Sequence, residues 1–347
     1  MPSTSASPVT RDLTVPRSRG SKYAELSRQI KQAGLLERRP AYYVRHATVL
    51  LTMCAVGVAA FVLLGDSWWQ VSLAAYFAVI STQLGFLGHD AGHRQIFTSA
   101  RTNERLGVLL ANLCVGFSYG WWIDKHNRHH AHPNDEEKDP DVGAGAIAFT
   151  VRQVLRSGRV GRAFYRRQAW TFFPLLLLEA INLRVSSIRH LVADRGRPRL
   201  RELLLIATHL AAYLATVFLI MSPLKAVVFI AVHQGLFGLY MGCSFAPNHK
   251  GMPSLTDAEA ADFLNRQVLT SRNVRGRWST DFALGGLNYQ IEHHLFPSMP
   301  RGNLRHAQHI VKEFCRTHQV PYLESGLIAS YAQALRHLNS VGRSVSA

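Results

Sequence analysis

Seventeen histidines occur in this 347-residue chain, and seven of them fall into three short stretches. "HDAGH" separates His89 from His93 by four positions, and "HNRHH" sets His126 before His129 and His130. "QIEHH" sets Gln290 before His293 and His294. The last two stretches share the spacing i, i+3, i+4, which on a helix aims all three side chains from one face. Clustered imidazoles suit iron, copper, zinc or nickel. The four cysteines (Cys54, Cys114, Cys243 and Cys315) form no CxxC pair, so neither a disulfide framework nor a thiolate site is expected. One zinc ion takes three or four protein ligands. Seven histidines therefore exceed the needs of one ion and match those of two. Two adjacent irons would take up dioxygen and attack an unactivated C–H bond, a reaction closed to zinc, which has no redox chemistry. Histidines kept for structural or surface reasons would have no cause to gather in three such groups.

The elements that must position these groups are apolar. Residues 47–64 ("ATVLLTMCAVGVAAFVLL"), 71–88, 203–221 and 226–243 carry no charged side chain. Each is near the roughly 20 residues a helix needs to cross a bilayer core. They come as two close pairs, joined by "GDSWWQ" (65–70) and "SPLK" (222–225), which reads as two transmembrane hairpins rather than the buried helices of a soluble protein. Residues 106–119 and 170–181 are apolar but short, and Pro174 and Glu179 interrupt the second; both read as interfacial or re-entrant.

The formal net charge is +17, and its distribution orients the hairpins. Residues 1–46 hold nine Lys/Arg against three acids, and residues 151–201 hold twelve arginines. By the positive-inside rule both termini and the long middle loop face the cytoplasm, and all three histidine stretches fall on that side. The basic surplus then meets anionic headgroups; no nucleic-acid recognition motif accompanies it. Residues 1–20 are rich in Ser, Thr, Pro and Arg, lack an apolar signal core and read as a disordered tail. Residues 21–46 place Tyr23, Leu26, Ile30 and Leu36 near helical spacing, which predicts a cytoplasmic or interfacial helix. Residues 47–347 form the membrane domain. The expected fold is thus all-α and integral to the membrane, with four spans, interfacial helices and a cytoplasmic helical body that carries the metal site.

Four stretches together resemble the membrane-bound fatty acid desaturases: "GHDAGHRQIF" (88–97), "GWWIDKHNRHHAHPNDEEKDPDV" (120–142), "SFAPNHKGMP" (244–253) and "LNYQIEHHLFPSMPR" (287–301). The similarity runs from Tyr23 to Leu338. Gln290, where many members have histidine, resembles the front-end branch and its bacterial acyl-CoA and acyl-lipid relatives. The resemblance implies a non-haem di-iron centre, dioxygen as co-substrate and a long-chain acyl substrate. His89, His93, His126, His129, His130, His293 and His294 match the iron-ligand positions, and His249 in "PNHKG" matches a further one. Many front-end members carry a fused cytochrome b5 domain with an HPGG motif. No HPGG occurs here, so a separate donor is expected, a ferredoxin or cytochrome b5-like protein with a flavin reductase, at a bacterial plasma membrane.

Around those ligands, Asp90, Asn134, Gln290 and Glu292 are candidates to orient imidazoles, because ligating histidines usually give their other N–H to an oxygen. His132 fits neither spacing. His209 and His233 lie inside spans and are expected to join helices by hydrogen bonds. Gly238 and Gly242 form a small-xxx-small pair suited to close helix packing. Trp69, Trp121 and Trp122 read as interfacial anchors. Arg162, Arg166 and Arg167 suit a phosphate or CoA headgroup. Other readings of the same pattern are a lipid hydroxylase or ketolase, a zinc-dependent membrane hydrolase and a non-enzymatic metal- or haem-binding membrane protein.

Overall fold

A computed structural model describes residues 21–143, 145–193 and 197–344; the tail expected over residues 1–20 lies outside them. The chain runs through α1 (Lys22–Gln32), α2 (Pro40–Leu64), α3 (Gln70–Gly92) and α4 (Ala100–Val108), whose end passes into a π-helical stretch, Leu109–Val115. Then come α5 (Tyr119–Ala131), α6 (Val151–Arg156), α7 (Arg159–Tyr165), α8 (Gln168–Leu176), α9 (Glu179–Ala193), α10 (Arg197–Ile220) and α11 (Pro223–His249). The C-terminal third holds α12 (Asp257–Ala260), α13 (Phe263–Leu269), β1 (Asn273–Arg275), α14 (Trp278–Ala283), α15 (Gln290–Leu295), α16 (Arg301–Thr317), β2 (Glu324–Gly326) and α17 (Leu327–Arg343). Among the described residues the fold is helical as expected, apart from one parallel strand pair, β1 with β2, in the register Asn273↔Glu324.

Four helices, α2, α3, α10 and α11, are long and apolar enough to cross a membrane. They contain the four uncharged runs, except that α10 ends at Ile220, one residue short of the third run's end. Pro40 opens α2 and Pro223 opens α11, a position where the missing proline N–H costs nothing. Leu51, Leu63, Leu204 and Leu219 on α2 and α10 are largely exposed, as lipid-facing residues must be. The centre of the bundle is α3 against α11.

The two short apolar runs bend. Ala100–Val115 meets α5 at 112°, and α8 meets α9 at 74°, so each pair forms a broken span or a re-entrant loop. The first bend turns at Gly116, with φ at 89°. A Cβ there would lie 2.3 Å from the His209 ring, so glycine is required both by its conformation and by the space. Ser118 then caps α5, its Oγ accepting from Trp121 N at 3.0 Å. Gly238 and Gly242 let α11 approach the α8–α9 bend, for a Cβ on Gly238 would meet Leu176 O at 2.6 Å. His209 bonds Leu113 O at 2.9 Å, and His233 bonds Tyr213 and Ser81 at 2.9 and 3.2 Å, the helix-joining role their placement predicts.

The body outside the bundle has its own core. Leu26, Ile30, Leu264, Ile291, Leu295 and Leu304 join α1, α13, α15 and α16 in one buried cluster. Each such side chain contributes about 1.5–3 kcal/mol by leaving water. The predicted N-terminal helix therefore ends at Gln32 and docks on this body, while residues from Pro40 onward already belong to the first span.

Candidate metal centre

Three helices deliver the three histidine stretches. α3 ends with His89 in its last turn and His93 as its C-cap. α5 presents His126, His129 and His130, and the short, wholly buried α15 presents His293 and His294. His249 is the last residue of α11. Nitrogens of His89, His93, His126 and His293 lie within 4.8 Å of one another, as do those of His129, His249 and His294. His130 stands between the sets: its Nε2 is 3.1 Å from His126 Nε2, and its ring stacks on His294 at 4.2 Å. All eight histidines that the sequence singled out are thus brought together.

The donor set fits metal. Nε2 of His89, His293 and His294 and Nδ1 of His130 are buried without a hydrogen-bond partner. Such orphaned groups cost about 1–3 kcal/mol each, a cost that coordination would remove. His93 Nε2 and His126 Nε2 face each other at 2.9 Å. Burial, with repulsion from neighbouring imidazoles, holds His93, His293 and His294 neutral well below the ordinary histidine range. Neutral imidazole is the ligating form.

In the second set all the outward nitrogens are occupied. His129 Nδ1 meets Asp139 Oδ2 at 2.9 Å, His249 Nδ1 meets Thr270 O at 3.0 Å, and His294 Nδ1 meets Gln267 Oε1 at 2.9 Å. Each contact turns Nε2 inward, the tautomer that a second layer of acceptors selects around metals. Burial alone would raise the Asp139 carboxyl, but its contact with His129 holds it below its ordinary value.

The residues expected to orient imidazoles have several jobs. Asp90 Oδ1 is 3.7 Å from His89 Nδ1, and its other oxygen pairs with Arg301 at 2.6 Å. Gln290 Nε2 donates to His249 Nε2 at 2.8 Å, so it sits on the ligand face itself. Asn134 hydrogen-bonds backbone rather than an imidazole: its amide donates to the carbonyls of His249 and Thr270 at 3.4 and 3.1 Å, bracing the second set. Glu292 turns away from the histidines: its carboxylate accepts from Asn273 at 2.7 Å and Tyr322 at 2.8 Å. Burial pushes it up to about 7.

Beside the second set lies a cavity of about 250 Å³, lined by His126, His129, His249 and apolar groups such as Phe117, Phe172 and Leu176. Its charged lining is Lys125, Asp141, Glu179 and Lys250. Arg162, Arg166 and Arg167 do not line it. They occupy α7 and the turn before α8, where Arg162 bonds Ser157 O at 3.0 Å. Trp122 is no interfacial anchor: it lines the cavity and stacks on His126 at 4.5 Å. Trp69, at 71% exposure, keeps the outer position expected of an anchor.

Asp139, Gln267, Thr270 and Arg301 were missed by the sequence reading. Asp139 had a signal, an acid-rich loop directly after "HNRHH". The carbonyl of Thr270 had none, since any residue carries one.

Helices that bend back onto one end of an apolar bundle, with converging histidines, define a class of membrane protein whose histidine groups could hold metal. A family model described as fatty acid desaturase matches residues 66–326, and the chain belongs to that family. It is 28% identical over 338 residues to an acyl-lipid (9-3)-desaturase of Physcomitrium patens, covering 90% of this chain and 61% of that one. It is 29% identical to a Delta(6)-fatty-acid desaturase of Caenorhabditis elegans (94% of this chain, 76% of that) and 30% identical to an acyl-lipid (9-3)-desaturase of Borago officinalis (74% and 60%). The chain thus spans about three-fifths of the length of the moss and borage relatives.

Proposed function

We propose that this chain is an oxygen-dependent desaturase that inserts a cis double bond into a long-chain acyl group, carried as acyl-lipid or acyl-CoA, at a centre of two irons held by His89, His93, His126, His129, His130, His249, His293 and His294. One observation carries the reading: two sets of inward imidazole nitrogens converge at one end of the spans, against a cavity with apolar walls. Bound iron would supply the activation of dioxygen and the oxidation of an aliphatic C–H bond.

The chain's own residues do the rest. Phe117, Phe172 and Leu176 offer an acyl chain apolar surface, about 0.8 kcal/mol per buried CH₂, and position one C–C bond beside the histidines. Asp139, Thr270 and Gln267 keep the second set in one tautomer. Asp90, Gln290, Asn134 and Glu292 are further positioning residues. Lys125 and Lys250 are the cations nearest the chain's polar end. Arg162, Arg166 and Arg167 would reach only a headgroup extending beyond the cavity. Electrons come from a separate ferredoxin or cytochrome b5-like donor with its flavin reductase. The charge asymmetry supports an orientation with both termini and the histidines on the cytoplasmic side of the membrane.

The test is lipid analysis of a host expressing the chain with a compatible donor. A new unsaturated fatty acid is expected, absent without oxygen and in His293→Ala. A hydroxy acid in its place would transfer the assignment to a hydroxylase on the same scaffold.

A further inference from the structure

The cavity beside the second histidine set ends at a partition. A second cavity of about 20 Å³ lies against His89, Leu84, Gly85 and Gly88. Phe117, Trp122, Met241 and Phe245 line both spaces, so these four side chains form the wall between them. Along α11, Met241 precedes Lys250 by nine residues, about 14 Å at 1.5 Å per residue. Along α11 the larger cavity thus runs from Lys250 to the apolar partition, with Lys125, Asp141 and Glu179 as the rest of its charged lining. The smaller one holds roughly a single water-sized group.

Three of the four wall residues are aromatic, and Trp122 is fixed by its stack on His126. Met241 is the adaptable member, an unbranched side chain with several rotatable bonds. Gly85 of α3 faces it: a Cβ there would sit 3.6 Å from Met241 Sδ, ordinary contact distance. Removing the Met241 side chain would join the two spaces, while adding a methyl at Gly85 would fill part of the smaller one.

We propose that Met241, backed by Gly85, closes the deep end of the acyl cavity and sets how many carbons extend past the histidine sets toward the methyl terminus. The ligand of this subsite is the apolar tail of the acyl chain. The proposal rests on the acyl-substrate reading above. It makes Met241 a determinant of chain length, with no part in holding metal.

The test expresses wild type, Met241→Ala and Gly85→Ala with a proven donor, in a host fed saturated fatty acids of graded length. The readout is the ratio of longer to shorter unsaturated products within each strain, which does not depend on how much protein accumulates. Met241→Ala should raise that ratio roughly tenfold, because one methylene of fit in an apolar pocket discriminates by about 10–200-fold. Gly85→Ala should lower it. Opposite shifts separate a shaped subsite from general loosening of the helices. A working wild type with the same ratio in both variants overturns this proposal alone. A wild type that leaves every acyl chain saturated overturns the desaturase reading and this proposal with it.

Discussion

His129 meets two requirements at once: its Nε2 must face inward with an open lone pair, and its Nδ1 proton must be held. Asp139 meets the second at 2.9 Å and also accepts from Asn134 N at 2.8 Å, tying the ligand to the loop that follows α5. Removing such an acceptor typically costs 10–100-fold in metal affinity. Asp139→Ala should therefore release metal about 10–100-fold more readily in a chelator titration, with the helical circular dichroism unchanged; unaltered metal retention would exclude the orienting role. Glu292 makes a different prediction. Its carboxyl titrates near 4.5 when unfolded and at about 7 in the metal-free fold, so between those values the native state binds the extra proton. Stability of metal-free protein then falls as pH rises through that window, by up to about 3 kcal/mol. Glu292→Gln removes this dependence, so its advantage over wild type in thermal melting should be larger at pH 8 than at pH 4.5. A larger advantage at the acid end would contradict the assignment.

The end of α11 shows how an element is built to hold one ligand. Pro247 inside the helix has no N–H, which frees the carbonyl of Cys243. Tyr331 of α17 donates to that carbonyl at 2.5 Å. Arg272, fully buried, donates to Pro247 O at 2.6 and 2.8 Å and to Lys250 O at 3.0 Å. The helix is thereby pinned on both sides of His249. Tyr331→Phe leaves a buried carbonyl unpaired and should cost about 1–3 kcal/mol of stability, read as a lower melting temperature in detergent; an unchanged melting temperature would show that the carbonyl finds another donor. This bracing is also where reading the sequence stops. The spans were legible because an uncharged run of that length has few other fates, and the ligands because i, i+4 spacing on a helix is a local property. Arg272, Tyr331, Gln267 and Thr270 meet the site only through contacts distant in sequence. Trp122 was misplaced for a related reason: an aromatic beside an apolar run looks the same whether it faces headgroups or a histidine. The Arg162–Arg167 stretch was legible as charge, but charge alone does not say which cavity it borders.

On the scale of the whole molecule, the four helices long and apolar enough to cross a membrane form an apolar bundle, and every histidine of both sets sits at one end of it. The turn between α2 and α3, where Trp68 and Trp69 stand exposed, lies at the other end. By the positive-inside rule a reporter fused at Gln70 should read outside and one at Asp135 inside; an outside reading at Asp135 would contradict this orientation. The central claim is that the two sets hold two redox-active ions. Elemental analysis of purified, catalytically active protein tests it most directly. With seven imidazoles in two converging sets, His130 between them and no cysteine in either, the account predicts about two irons per chain. Active protein that contains a single ion, or zinc in place of iron, would contradict it.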